Sequence, residues 1–192
     1  MVQTDDNIII ARVLNGETAA FELLVNRYKD MAFSIALRVC KNTEDAEEVA
    51  QDAFLKAYQS LSKFKQESKF STWLYRIVTN TAISSTRKRK IAMVSLDEPI
   101  IENYSENEIQ NNMNQFDFEE QSRMIKKTMQ LLHPQDCLLL NMFYTDNLSI
   151  EEIEEITGLS QANIKVKLHR IRKKLYSLIN EQMIKNSIPL MH

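Results

Sequence analysis

The stretch from Ser149 to Leu175, SIEEIEEITGLSQANIKVKLHRIRKKL, decides how the chain is to be read. Two helical patterns flank a single glycine. Ser149 stands where a helix is capped, and Glu152 follows three residues later, the spacing of a capping box. Ile150, Ile153 and Ile156 form a narrow apolar stripe. Gly158 is the residue that tolerates a left-handed backbone, and Leu159 plugs the turn. Ser160 is placed to cap the second helix, in which Ile164, Leu168, Ile171, Leu175 and Leu178 recur at helical spacing. Its other face carries Lys165, Lys167, His169, Arg170, Arg172, Lys173 and Lys174 with no acid among them. An acidic helix, a tight turn and a basic helix predict a helix-turn-helix that lays its second helix in a DNA major groove. The competing reading is a helical hairpin whose basic residues are only solvated. The cap, the turn, the apolar register and the one-sided charge together favour DNA.

Composition supports an all-helical chain. Of 192 residues only two are glycine and three proline, against roughly 7% and 5% in average usage. So few breakers leave room only for helices with short connections, and 44% hydrophobic residues suffice for ordinary cores. Cys40 and Cys137 lack metal-ligand spacing and are expected to be reduced thiols. Asp5 and Asp6 make the N-terminal region acidic, and no basic stretch leads into a long apolar run. The expectation is therefore a soluble cytoplasmic protein with no leader and no membrane insertion. The net charge of −2 conceals segregation. Arg87 to Lys90 form one basic cluster and the helix after Gly158 another, while Ile91 to Ser122 hold acids and no Lys or Arg. Concentrated positive charge binds nucleic acid whatever the total.

The expected architecture is all-α: two small helical domains joined by a flexible acidic linker. The first spans 5–90. Its helices run to Leu14, then through Phe21, Leu24, Tyr28 and Ile35, then from a cap at Thr43 along Ala46, Val49, Ala53, Phe54 and Ala57, and finally from Phe70. A polar loop, Ser62 to Lys69, precedes the last. The linker, 91–122, is rich in Asn and Glu and has too little apolar surface to order alone. The second domain spans 123–180, with a turn at His133-Pro134, and 181–192 reads as a fraying tail.

A second nucleic-acid surface is expected on the helix from Phe70. Tyr75, Arg76, Thr79, Asn80 and Arg87 lie on its polar face, and Phe64 and Lys65 precede it in the loop. Aromatics interleaved with cations suit unpaired bases, which offer a face for stacking and a phosphate for charge. Trp73 reads as core, and Tyr75 fits either role. On the basic helix, Ser160, Gln161, Asn163 and Lys165 lie near the N-terminal end, where a docked helix meets base edges; Lys167 and Arg170 follow as phosphate anchors.

Four stretches resemble the extracytoplasmic-function group of bacterial sigma-70-type sigma factors: AAFELLVNRY (Ala19 to Tyr28), DAEEVAQDAFLKAY (Asp45 to Tyr58), FSTWLYRIVTNTA (Phe70 to Ala82) and LSIEEIEEITGLSQANIKVKLHRIRKKL (Leu148 to Leu175). They stand in the family's order. The resemblance implies that 5–90 is a sigma region 2-like bundle and 123–180 a region 4-like helix-turn-helix. It implies core RNA polymerase, promoter DNA and an anti-sigma factor as partners, with no cofactor and no metal. Core polymerase would be gripped by Gln51 and Asp52, flanked by Asp45, Glu48 and Lys56. Phe64, Lys65, Tyr75, Arg76, Asn80 and Arg87 would open the minus-ten element, and the basic helix would read the minus-thirty-five duplex. Ala162, Asn163 and Val166 depart from the family's usual glycine, threonine and serine, so the resemblance specifies the role and not the promoter sequence.

Two other classes compete with this reading. A helix-turn-helix regulator would bind duplex DNA without polymerase. An enzyme is disfavoured: His133, His169 and His192 share no spacing with acids or cysteines, and there is no glycine-rich phosphate loop.

Overall fold

The computed structural model describes the backbone of residues 5–90 and 118–187, and the side chains of 5–86 and 123–182. The expected linker at 91–117, and the side chains of Arg87 to Lys90, lie outside the described residues. Among those described, every regular element is helical: α1 (Asp6–Leu14), α2 (Phe21–Cys40), α3 (Thr43–Ser60), α4 (Phe70–Lys90), α5 (Phe118–Met129), α6 (Pro134–Leu140), α7 (Ile150–Thr157) and α8 (Gln161–Ser187). Short 3-10 turns cover Thr18–Ala20 and Leu61–Lys63, and Asn141–Thr145 form a π turn. The residues group into two compact units. One gathers α1 to α4 together with Glu151–Leu159; the other gathers α5, α6, the π turn and α8.

In the first unit α2, α3 and α4 pack pairwise. The buried side of α3 is Ala46, Val49, Ala50, Ala53, Phe54 and Ala57, the helical spacing expected. Its alanines let neighbouring axes approach closely, since interaxial distance follows side-chain size at the contact. Leu24, Ile35 and Val39 of α2 and Leu74, Val78 and Ala82 of α4 complete the core. Asp5 caps α1 by accepting from the Asn7 N–H at 2.9 Å. Asp6 ties α1 to α2, accepting from the Tyr28 hydroxyl and pairing with Arg27. Burial and this hydrogen bond push the Tyr28 phenol above its ordinary range.

The cap of α3 differs from expectation. Asn42, not Thr43, is the N-cap, its Oδ1 accepting from the Asp45 N–H at 2.8 Å. Lys41 takes a left-handed φ of 64° to end α2, so the chain turns one residue earlier than the threonine suggests.

In the second unit α5 and α6 pack on α8. Lys126 and Lys127 close α5 where cations suit the helix dipole. His133 caps α6, with Pro134 at its first position. Cys137 is buried and its Sγ lies 2.9 Å from the Met129 carbonyl. Two boundaries move. α5 begins at Phe118, inside the stretch expected to be linker, and α8 runs to Ser187, through most of the expected tail. Glu181 to Ser187 contain neither glycine nor proline, so nothing there stops a helix already propagating.

Candidate nucleic-acid and partner interfaces

Three surfaces carry the residues of interest. The first is the outward side of α3. Glu48, Gln51 and Asp52 are exposed there. Asp45 is half-buried, and its carboxylate accepts from the Asn42 side-chain amide at 2.7 Å, within the cap. Lys56 donates to the Thr81 hydroxyl of α4 at 3.2 Å. The structure adds two residues that sequence reading passed over. Leu55 is 56% exposed and Tyr58 39% exposed. They follow Gln51 at i+4 and i+7, so they continue the same stripe. That spacing is present in the sequence, and the signal for both is their position off the Ala46–Ala57 stripe.

The second surface belongs to α4 and the loop before it. Arg76 and Asn80 are exposed and stand four residues apart on one stripe, and Lys65 is exposed in the loop. Phe64 departs from expectation at only 8% exposed, and Tyr75, which fitted either role, is buried at 3%. The Phe64 ring packs on Trp73 and Phe70, with centroids 5.1 and 5.9 Å away, and Phe70 meets Tyr28 at 5.5 Å. Phe64 is thereby held in an aromatic cluster, edge-on to Phe70 and tilted against Trp73. Trp73, read as core, is half-buried and lies on the Arg76–Asn80 side of α4. Thr79, placed on the polar face by the sequence, is buried, and its hydroxyl has no hydrogen-bond partner among the described residues.

The third surface is α8 and the turn before it. Gly158 adopts φ +72°, and its N–H donates to the Glu154 carbonyl at 2.8 Å. The Thr157 hydroxyl accepts from the Leu159 N–H at 3.2 Å. Ser160 Oγ accepts from the Asn163 N–H at 3.4 Å, the expected cap. Ile164, Leu168 and Ile171 are buried, while Asn163, Lys165, Lys167 and Arg170 are exposed. Ser160 is exposed and Gln161 half-buried. Lys165, Lys167 and Arg170 therefore stand outward, whereas Arg172 and Lys174 are half-buried; the N-terminus of such a helix offers open N–H groups to an anion.

Comparison with known proteins gives the class. The sigma-70 region 2 profile matches residues 24–91, and the sigma-70 region 4 profile matches residues 122–175. The sequence is 32% identical over 173 residues to the ECF RNA polymerase sigma factor SigW of Bacillus subtilis, covering 86% of this chain and 92% of that protein. It is 32% identical over 180 residues to the ECF RNA polymerase sigma-E factor of Escherichia coli K12, covering 90% and 93%. The fold is similar to CnrH, solved in complex with the cytosolic domain of CnrY, at TM-score 0.63 and 24% identity over 92% of this chain and 97% of that one. It is also similar to the sigma factor RpoE of Bartonella quintana, solved with the anti-sigma factor NepR, at TM-score 0.60 and 21% identity over 83% and 96%.

The chain thus carries regions 2 and 4 of a sigma-70-type factor, in that order. It belongs to the extracytoplasmic-function family of RNA polymerase sigma factors. As such it directs core RNA polymerase to specific promoters for transcription initiation. Among the described residues no helix is long and apolar enough to cross a membrane.

Proposed function

We propose a division of labour within this sigma factor. Residues 5–90 hold core polymerase and open the minus-ten element, 91–122 link, and 123–180 read the minus-thirty-five element. Glu48, Gln51 and Asp52, joined by Leu55 and Tyr58, form the polymerase contact on α3. Asp45 supports it from the cap, and Lys56 supports it from α3 through its bond to Thr81 of α4. On α4, Arg76 and Asn80 with Lys65, Arg87 and the accessible part of Trp73 capture an unpaired base. Phe64 acts beneath that surface by packing on Trp73 and Phe70, and Tyr75 acts from the core of the bundle. Unstacking a base costs a few kcal/mol, which a stacking surface offsets. Duplex readout needs a helix in the groove plus phosphate anchors, which α8 supplies through Gln161, Asn163 and Lys165 as readers and Lys167 and Arg170 as anchors, with Ser160 at the cap.

The observation that carries this reading is the division of α8: Ile164, Leu168 and Ile171 are buried, while the cations between them are exposed beside a capped N-terminus. An anti-sigma partner and a cytoplasmic location belong to the same reading, and no catalytic role is assigned. The test is in vitro transcription with bacterial core polymerase on genomic fragments. Discrete start sites that vanish with the quadruple change Asn163→Ala, Lys165→Ala, Lys167→Ala and Arg170→Ala support it. Start sites unchanged by those substitutions would overturn the role of α8.

A further inference from the structure

Val166 is set apart on α8. It is 48% exposed, whereas Ile164, Leu168 and Ile171 around it in sequence are buried. At about 100° per residue those three point within about 40° of Ile164, and Val166 points about 200° away from it. Val166 therefore occupies the middle of the outward face. Exposed Ala162 lies one turn before it and exposed Arg170 one turn after. Lone surface valines are ordinary, and position is what separates this one. It is the sixth residue of a helix beginning at Gln161, within the stretch that meets base edges when such a helix docks. The cations there have chemistry for phosphate and for purine acceptors. A branched alkyl group has neither, and it is a poorer helix former than the Lys and Arg beside it.

The major groove offers one apolar group, the C5-methyl of thymine. We propose that Val166, with Ala162 beside it, reads a thymine methyl in the minus-thirty-five duplex. This rests on α8 being the duplex reader and adds to it a residue outside the hydrogen-bonding set. Asn163 and Lys165 supply polar readout, and Val166 sets the preference for thymine over cytosine at one base pair, since cytosine presents no methyl there.

The test uses the full chain assembled with core polymerase. A preferred minus-thirty-five sequence is first selected from randomised duplex. Each thymine in it is then replaced by deoxyuridine, which deletes only the methyl, and affinity is measured. The parent should lose roughly fourfold at one position, the factor expected for one buried methyl group. Val166→Ala should bind the thymine and deoxyuridine duplexes equally at that position, and Val166→Ile should keep the discrimination. A parent indifferent to every replacement, or a Val166→Ala variant with discrimination intact, overturns the inference while leaving α8 as the reader. A parent that selects no minus-thirty-five sequence overturns both that reading and this one.

Discussion

The Lys56 ammonium of α3 donates to the Thr81 hydroxyl of α4 at 3.2 Å. One helix carries Gln51 and Asp52; the other carries Asn80, the neighbour of Thr81 in the chain. A residue that family resemblance assigns to polymerase contact thus bridges α3, proposed to face polymerase, to α4, proposed to open the promoter. Lys56→Met keeps the stem and removes the donor. It should slow opening of duplex promoter by roughly two- to tenfold, as a bond worth on the order of 0.5–1.5 kcal/mol allows, while core affinity changes less than about twofold. Thr81→Val should have the same effect, and the double mutant should add little to either. Competition for core polymerase and permanganate footprinting measure the two steps. A tenfold loss of core affinity with normal opening would make Lys56 a direct contact instead.

Phe64 and Asn80 should now part company. Phe64→Ala removes a buried ring from the Phe70–Trp73 cluster and should cost on the order of 3–5 kcal/mol in thermal denaturation. Asn80→Ala and Arg76→Ala should leave the melting temperature within a degree or two, yet impair open-complex formation on duplex promoters. A template melted in advance should restore both. Equal defects on melted and duplex templates would remove the base-capture role.

Thr79 offers a stabilising change. Its buried hydroxyl lacks a partner among the described residues, and leaving such a group unsatisfied costs on the order of 1–3 kcal/mol. Thr79→Val keeps the shape and removes the hydroxyl. Denaturant unfolding should show stability raised by about 1 kcal/mol with an unchanged slope. A drop of that size instead would mean that the hydroxyl is bonded in solution.

Gly158 tests the turn. Among the described residues, no atom beyond its chain neighbours lies within 4 Å of where its Cβ would be, so the cost of Gly158→Ala comes from φ +72°. That conformation costs an L-residue about 1–2 kcal/mol, and asparagine less. Gly158→Ala should lower stability by about that amount and Gly158→Asn by under half as much, read by hydrogen exchange in α7 and α8. Equal losses would indicate a steric cause.

Arg170→Ala should weaken all duplexes alike and reduce the salt slope of binding by about one unit. Asn163→Ala should keep the slope and relax preference at one base pair. Titrations at several salt concentrations distinguish them, and identical slopes in parent and Arg170→Ala would remove the phosphate contact.

Periodicity and capping made most of the helical frame readable in advance. The apolar stripe of α3, the start of α4 at Phe70, the left-handed Gly158 and the Ser160 cap all follow from local spacing, which acts within one or two turns. What was not readable depends on segments meeting. Phe64 sits in a polar loop, and only the convergence of Phe70 and Trp73 on it explains its burial. Leu55 falls outside the apolar stripe of α3, and nothing in the local spacing alone says that an exposed leucine there belongs to a contact surface. The Asn42 cap and the extension of α8 to Ser187 turn on single backbone angles and on the absence of a breaker, both weak signals in a sequence.

The alanine seam of α3 has an engineering consequence. Ala46, Ala50, Ala53 and Ala57 anchor the helix with side chains too short to reach its outer side. The two sides are chemically decoupled, so Gln51, Asp52 and Leu55 can be rewritten together without repacking the interior. With α3 as the proposed polymerase contact, a lineage or a designer can therefore retune this sigma factor toward an altered polymerase while the scaffold beneath stays the same.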